Sequence, residues 1–254
     1  MHRLLSASFF FIVAVAASIP ACATVRNVPK QYSTIQAAVD AAQPGDIVRI
    51  NGGTYHESVL ILNTFNIEID GENGASMVGN MTPAQASFDI FSPGNSVHGL
   101  SVSNYDVGIA LQASGRIYNN VISGCNIGLY TSVFGDGVNL PAPTSLDHNT
   151  VRSNGDGIFI DNCENVTAAS NTVVMNGLNV GGVGITVQFS DTCRVTGNVV
   201  PMNGEGILAF FGTTGCTFSN NVSVANQGLD AEDDNDGANT WSNNVFDAGK
   251  TSGI

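Results

Sequence analysis

Charge is what this sequence most lacks. Asp, Glu, Lys and Arg make up 11% of its 254 residues, where a soluble domain carries about 25%. Leu is scarce too, with 12. Helices draw on Leu, Glu, Lys and Arg because these side chains lose little rotamer freedom there, so the shortage excludes a helical fold. Only eight residues are Lys or Arg, too few and too scattered to clamp a phosphate backbone, which excludes nucleic acid as a partner. The net charge of −13 would also repel a polyuronate unless cations bridged the two. Disorder is excluded by a hydrophobic content of 43%, enough to bury a core.

What is present begins with a leader. Met1-His2-Arg3 precedes the nine-residue apolar stretch Phe9 to Ala17, followed by Ile19-Pro20-Ala21-Cys22-Ala23. A basic start, a short apolar region and small residues before Ala23 predict a signal peptide over 1–23 and a secreted or periplasmic protein. The stretch is too short to span a bilayer. A competing reading takes Cys22 as the lipidated residue of a lipoprotein. Past the leader stand Cys125, Cys163, Cys193 and Cys216, in a compartment that permits disulfides.

Asn, at 28, nearly equals all charged residues together, and it recurs in a pattern: an apolar residue, Asn three later, an apolar residue two after that, Asn again three further on. Leu146-Asn149-Val151-Asn154, Ala168-Asn171-Val173-Asn176 and Val195-Asn198-Val200-Asn203 show it whole. Ile117-Asn120-Ile122 has Cys125 in the last slot, Phe218-Asn221-Ser223-Asn226 carries a polar substitution, and Trp241-Asn244-Phe246 ends the series. A Gly-apolar-x-apolar segment follows most first Asn positions, as in Gly157-Ile158-Phe159-Ile160 and Gly184-Ile185-Thr186-Val187. Repeats lie 20 to 29 residues apart, most often 22 or 23. Short alternating segments recurring at that period predict an all-β parallel β-helix, a solenoid of about 22-residue coils stacked about 4.8 Å apart. Equivalent Asn residues would then form ladders whose amides pair the backbone of buried turns. Cys193 and Cys216 fall in adjacent coils, where either a vertical disulfide or a column of buried thiols fits.

The sequence resembles the right-handed parallel β-helix proteins of the pectin lyase-like superfamily over nearly all of the mature chain. Ser33-Thr34-Ile35-Gln36-Ala37-Ala38-Val39-Asp40-Ala41-Ala42, Gly45-Asp46-Ile47-Val48 and Gly53-Thr54-Tyr55-His56-Glu57 are similar to the opening of pectin methylesterases. The resemblance implies one domain over 27–254, with a capping helix at 33–42 and a closing coil at 237–254 around Trp241. Ser33 and Gln36 read as a capping box. The catalytic motifs of those relatives are missing, so the resemblance implies the fold and no activity.

Candidate sites are columns of outward residues. In the Gly-apolar-x-apolar strand, Tyr130, Phe159, Gln188 and Phe210 would bind a sugar by stacking and hydrogen bonding, with Asp161 as a candidate catalytic carboxylate. Two long connections, one including Phe134-Gly135-Asp136-Gly137 and one over 177–183, favour that face. A second column places His98, Tyr118 and Arg116 about one coil apart. These could perform β-elimination, with His or Tyr as base and acid and Arg holding a carboxylate; the same trio reads equally as a surface ladder. Asp230, Glu232 and Asp234 form a candidate Ca²⁺ site, with Asp230 and Glu232 expected on one strand face. Met175 and Met202, each preceding a ladder Asn, would resemble periplasmic copper-binding relatives, and packing in the core or a turn is the simpler reading. The expected partner is a neutral or Ca²⁺-bridged polysaccharide, with no cofactor required and Ca²⁺ the one candidate. The alternative is a non-catalytic envelope or surface scaffold.

Overall fold

The computed structural model describes residues 23–132, 143–178 and 181–254. The leader with Cys22 and the inserted Phe134-Gly135-Asp136-Gly137 lie outside the described residues. Three all-parallel sheets of ten, nine and six strands wind into a right-handed β-helix, the hand that strand twist dictates for parallel crossovers. We call them A, C and B. One coil shows the plan: Gly115–Tyr118 in sheet A, Val121–Ser123 in sheet B and Ile127–Thr131 in sheet C. Its neighbour pairs in register, Ile117 with Leu146, Ile122 with Val151 and Leu129 with Ile158. Inward residues therefore stack like on like. The column Ile109, Leu129, Ile158, Ile185 and Ile207 is wholly buried, within one continuous core from Val28 to Phe218.

The Asn residues do what their spacing predicts. In the first ladder, between sheets A and B, Asn149, Asn171 and Asn198 each donate backbone N and side-chain Nδ2 to the Oδ1 of the next Asn at 2.9–3.2 Å. The second Nδ2 hydrogen reaches back to a carbonyl of the preceding coil, as from Asn198 to Ala168 O at 2.9 Å. The second ladder runs Asn154, Asn176, Asn203, Asn226, and Cys125 occupies its first slot, donating its backbone N–H to Asn154 Oδ1. The residue before each first-ladder Asn turns left-handed: Asn119, His148, Ser170, Asn220 and Asn243 all have φ of 54–56°, which short polar residues tolerate best.

The caps are more specific than the sequence suggested. The helix is shorter than expected, Ile35–Ala41, and its N-cap is Thr34, whose hydroxyl accepts from Ala37 N. No Ser33–Gln36 box forms. Instead Glu57, from the following coil, accepts the free N–H groups of Ile35 and Gln36, placing a negative charge at the helix N-terminus. Gln36 turns to the coil and pairs both backbone groups of Leu60. No helix among the described residues is long and apolar enough to cross a membrane.

At the far end Trp241 stacks on Phe218, centroids 4.1 Å apart and planes 8° from parallel. Its indole N–H donates to the inward carboxylate of Asp233, which also accepts from Asn235 and Asn239. Burial alone would raise the Asp233 pKa; the hydrogen bonds from Trp241, Asn235 and Asn239 outweigh it and hold the carboxyl below its usual range. A carboxyl depressed in the folded state stabilises above its unfolded value, about 3.9, and that contribution disappears as pH falls through the folded value. Asp233→Asn is therefore expected to lose stability near neutral pH but to lose less than the parent on acidification to about pH 3. Urea midpoints of the two at both pH values check this, and equal acid losses would remove Asp233 from the account.

Cys193 and Cys216 stack in adjacent coils as buried thiols, with Cys193 N donating to Cys216 Sγ at 3.2 Å. Cys163 aligns with Ser190, whose hydroxyl accepts its backbone N–H.

Candidate functional site

Sheet C presents the expected groove. Strand register sets Tyr130, Phe159, Thr186, Leu208 and Glu232 in one outward column, and Asp161, Gln188 and Phe210 in the next. Tyr130 and Phe159 lie 6.1 Å apart, tilted by 32°. Asp161 accepts from the Tyr130 hydroxyl at 3.2 Å and from the Gln188 amide at 3.0 Å, so neighbouring coils hold one carboxylate between a phenol and an amide. Burial, aided by the Asp161 charge, pushes Tyr130 above its usual pKa, which keeps it a hydrogen-bond donor. Thr186 and Leu208 are buried despite facing outward and form the floor. All four expected binding residues and Asp161 thus meet on one face.

One residue on this face, Glu205, and two at its edge, Phe189 and Phe211, are not indicated by strand alternation. Glu205 shares the outward side of its strand with Leu208 and Phe210, and burial, then the nearby Glu232 charge, raises its carboxyl. Phe189 and Phe211 follow Gln188 and Phe210 and begin the turns toward sheet A. Each is 57% exposed; they stack on each other, centroids 5.6 Å apart and planes 19° from parallel, and Phe211 also meets Phe210 at 5.6 Å. Both are left-handed, with φ of 47° and 50°, in register with Asn162 at 52°. A bulky L-residue there costs roughly 1–2 kcal/mol, so two large apolar side chains sit in solvent on strained backbone. Two Phe one repeat apart, each just past an outward strand residue, are the signal the sequence offers.

The second predicted column lies on sheet A, a different face. His98 and Tyr118 stack with centroids 4.5 Å apart, and the Arg116 guanidinium lies 4.1 Å over the Tyr118 ring. The trio is brought together, yet each member is engaged. Arg116 holds Asp147 through two nitrogens at 2.6 and 2.8 Å, and His98 meets Glu68 at 2.8 Å. Burial tends to raise Asp147, but Arg116 and His148 outweigh it and lower its pKa, as expected of the anion in an ion pair. Tyr118 is raised, by burial first and then by Glu68, which disfavours it as a base. Arg49 extends the row to Asp70 and Glu72. The geometry is that of a hydrogen-bonded surface ladder, and it does not join Asp161.

The expected acidic site is corrected. Asp230 and Glu232 do not share a face. Asp230 stands where earlier coils have Gly184 and Gly206, is wholly buried, and closes the second ladder by accepting from Asn226 and from Asp247 N. Glu232 points outward and Asp234 is exposed. Among the described residues no three His, Cys, Asp or Glu are grouped to hold a metal ion.

Comparison with known proteins supports the fold. The profile of the family described as "Periplasmic copper-binding protein (NosD)" matches residues 133–254. Among solved structures, the chain is similar to an alginate lyase from Paenibacillus sp. str. FPU-7, at 16% identity and TM-score 0.54 over 86% of this chain and 94% of that one. It is also similar to the periplasmic alginate epimerase AlgG, at 13% identity and TM-score 0.61, over 79% of this chain and half of that one. Pectate lyase Pel9A gives 13% identity and TM-score 0.54, over 85% of this chain and 72% of that one. No curated protein matches the chain. The likeness to these structures is one of fold, the parallel β-helix. A copper donor set is not assembled in the described residues. The thiols of Cys125, Cys193 and Cys216 are buried and bonded to carbonyls. Soft ligands suit Cu(I), but Met175 and Met202 offer only two exposed thioethers, in turns rather than in the core.

Proposed function

We propose that this chain is an exported protein that binds a polysaccharide along the outer face of sheet C, from Tyr130 to Phe210. The observation that carries the reading is the Asp161 cluster: a carboxylate bonded to Tyr130 and Gln188 on the outward face that also carries Phe159 and Phe210. Sugars present apolar C–H faces and hydroxyl edges, and this surface sets the rings of Tyr130, Phe159 and Phe210 beside the polar groups of Asp161 and Gln188. Coils repeat at about 4.8 Å, close to the length of one sugar unit, so a chain lying along the solenoid axis meets one coil per residue. The sheet lacks a Lys or Arg in these columns, which favours a neutral glycan or one whose charge is bridged by Ca²⁺. Export rests on the leader at 1–23, and it agrees with the periplasmic setting named for the matching family and for AlgG.

A panel of neutral and acidic polysaccharides, each with and without Ca²⁺, tests the reading. One or more should bind, and Phe159→Ala and Phe210→Ala should each weaken that binding about tenfold, the worth of one stacked ring. Absence of binding across the panel sinks the proposal and leaves the scaffold reading. Reducing-end release and ultraviolet absorbance of unsaturated products, followed on the same samples and on Asp161→Asn, show whether binding leads to cleavage.

A further inference from the structure

Phe189 and Phe211 lie outside the strand face just described, yet the backbone has been held in an unfavourable form to present them. Their register partner in the preceding coil is Asn162, the residue type that tolerates this conformation, and Gly would tolerate it best. Neither ring serves the core: each is more than half exposed, and the pair contacts itself and Phe210. Immediately beside them in the sheet lie Asp161, Gln188 and Phe210, residues of the groove. The exposed amide of Asn162 occupies the same column one coil earlier, and the adjoining turns carry Glu164 and Asp191.

We infer that Phe189 and Phe211 form a second glycan subsite, an aromatic step that carries a neutral polysaccharide from the sheet C groove over the turn toward sheet A. The inference rests on the groove reading and names its extension. Polar groups lie close to the rings, with Gln188 preceding Phe189, the exposed Asn162 in the same column and Glu164 and Asp191 in the adjoining turns, a pattern that suits sugar faces and hydroxyls. The core of a protein interface is instead depleted of charge. The acidic neighbours Glu164 and Asp191 disfavour an anionic occupant. The rings are 5.6 Å apart, so adjacent sugars of one chain can each find a ring, and the offset stack leaves part of each face open.

The test uses the full chain with Phe189→Gly, Phe211→Gly and both together. The probes are cello-, xylo- and manno-oligosaccharides from disaccharide to octasaccharide, with binding followed by calorimetry and by saturation transfer from the Phe ring protons. Affinity for the longest oligomer that the parent binds should fall about tenfold or more in the double variant, while the shortest oligomer that fills the groove should bind unchanged. Thermal midpoints should stay level or rise, since Gly relieves the left-handed strain. Unchanged binding at every length, with Phe159→Ala still impaired, overturns the subsite and leaves the groove. Failure of the parent chain to bind any glycan overturns both. A lower thermal midpoint accompanied by equal affinity loss at every length would show the rings to be structural and would also overturn the subsite.

Discussion

Asn198→Ala should cost about 3–5 kcal/mol, a large part of the 5–15 kcal/mol that holds a typical domain folded. Asn198 is buried at the middle of the first ladder. Its Oδ1 accepts both the backbone N and the Nδ2 of Asn171, and its Nδ2 donates to Ala168 O and to Asn221 Oδ1. Truncation strands Asn171 N and Ala168 O where water does not reach, at about 1–3 kcal/mol each, and leaves a cavity besides. Asn244→Ala removes the last rung, whose Oδ1 accepts from Asn221 and whose Nδ2 donates to Phe218 O. Solvent can replace those partners, so about 1 kcal/mol is expected. Urea unfolding of both variants measures the contrast. Equal losses would mean that ladder position is irrelevant and that the amides are not the reason for the Asn repeat.

Gly157→Ala should destabilise by about 3 kcal/mol, the upper end of overpacking costs, and should also weaken glycan binding. A Cβ at Gly157 would stand 2.3 Å from Gly184 O and 2.6 Å from Val173 Cγ1. Neither atom is free to move, one being backbone in the next coil and the other core. Gly128, Gly184 and Gly206 meet the same crowding in their own coils, which explains why Gly is the second residue of each of these sheet C strands. Because Gly157 lies in the strand Asp156–Asp161, the displacement is passed to Phe159 and Asp161 in the groove. Gly212→Ala is the control: its φ is 77° but no atom lies within 4 Å of the added carbon, so only backbone strain of about 1 kcal/mol is expected. If the two glycines prove equally costly, conformation rather than close approach sets the motif.

Both predictions concern features that a single repeat already displays, which is why the architecture was so legible. A 22-residue period with apolar residues in fixed slots admits one economical packing, and the Asn slots declare which turns are buried. The groove was legible for the same reason: outward positions follow from strand alternation, so Tyr130, Phe159, Asp161, Gln188 and Phe210 could be placed on one face from spacing alone. Turns do not follow that rule. Phe189 and Phe211 sit where alternation ends, and their exposure depends on a left-handed backbone that no side-chain pattern announces. The Asp230 assignment failed similarly, because it assumed alternation to the strand's start. There the coil closes inward at the Gly position, and Asp230 turns in to close a ladder.

The sequence by itself determined the parallel β-helix, the two Asn ladders, the stacking of Cys193 on Cys216 and the placing of Tyr130, Phe159, Asp161, Gln188 and Phe210 on one face of sheet C. All four follow from periodic local geometry repeated coil by coil. Only the tertiary structure decided which polar groups were already spoken for: Arg116 by Asp147, His98 by Glu68, Asp230 by Asn226, Glu57 by the helix N-terminus. Those partners come from different coils, 22 to 31 residues away for Arg116, His98 and Glu57. Whether a charged side chain is available for chemistry depends on neighbours across coils, and a one-dimensional pattern carries no distance between them.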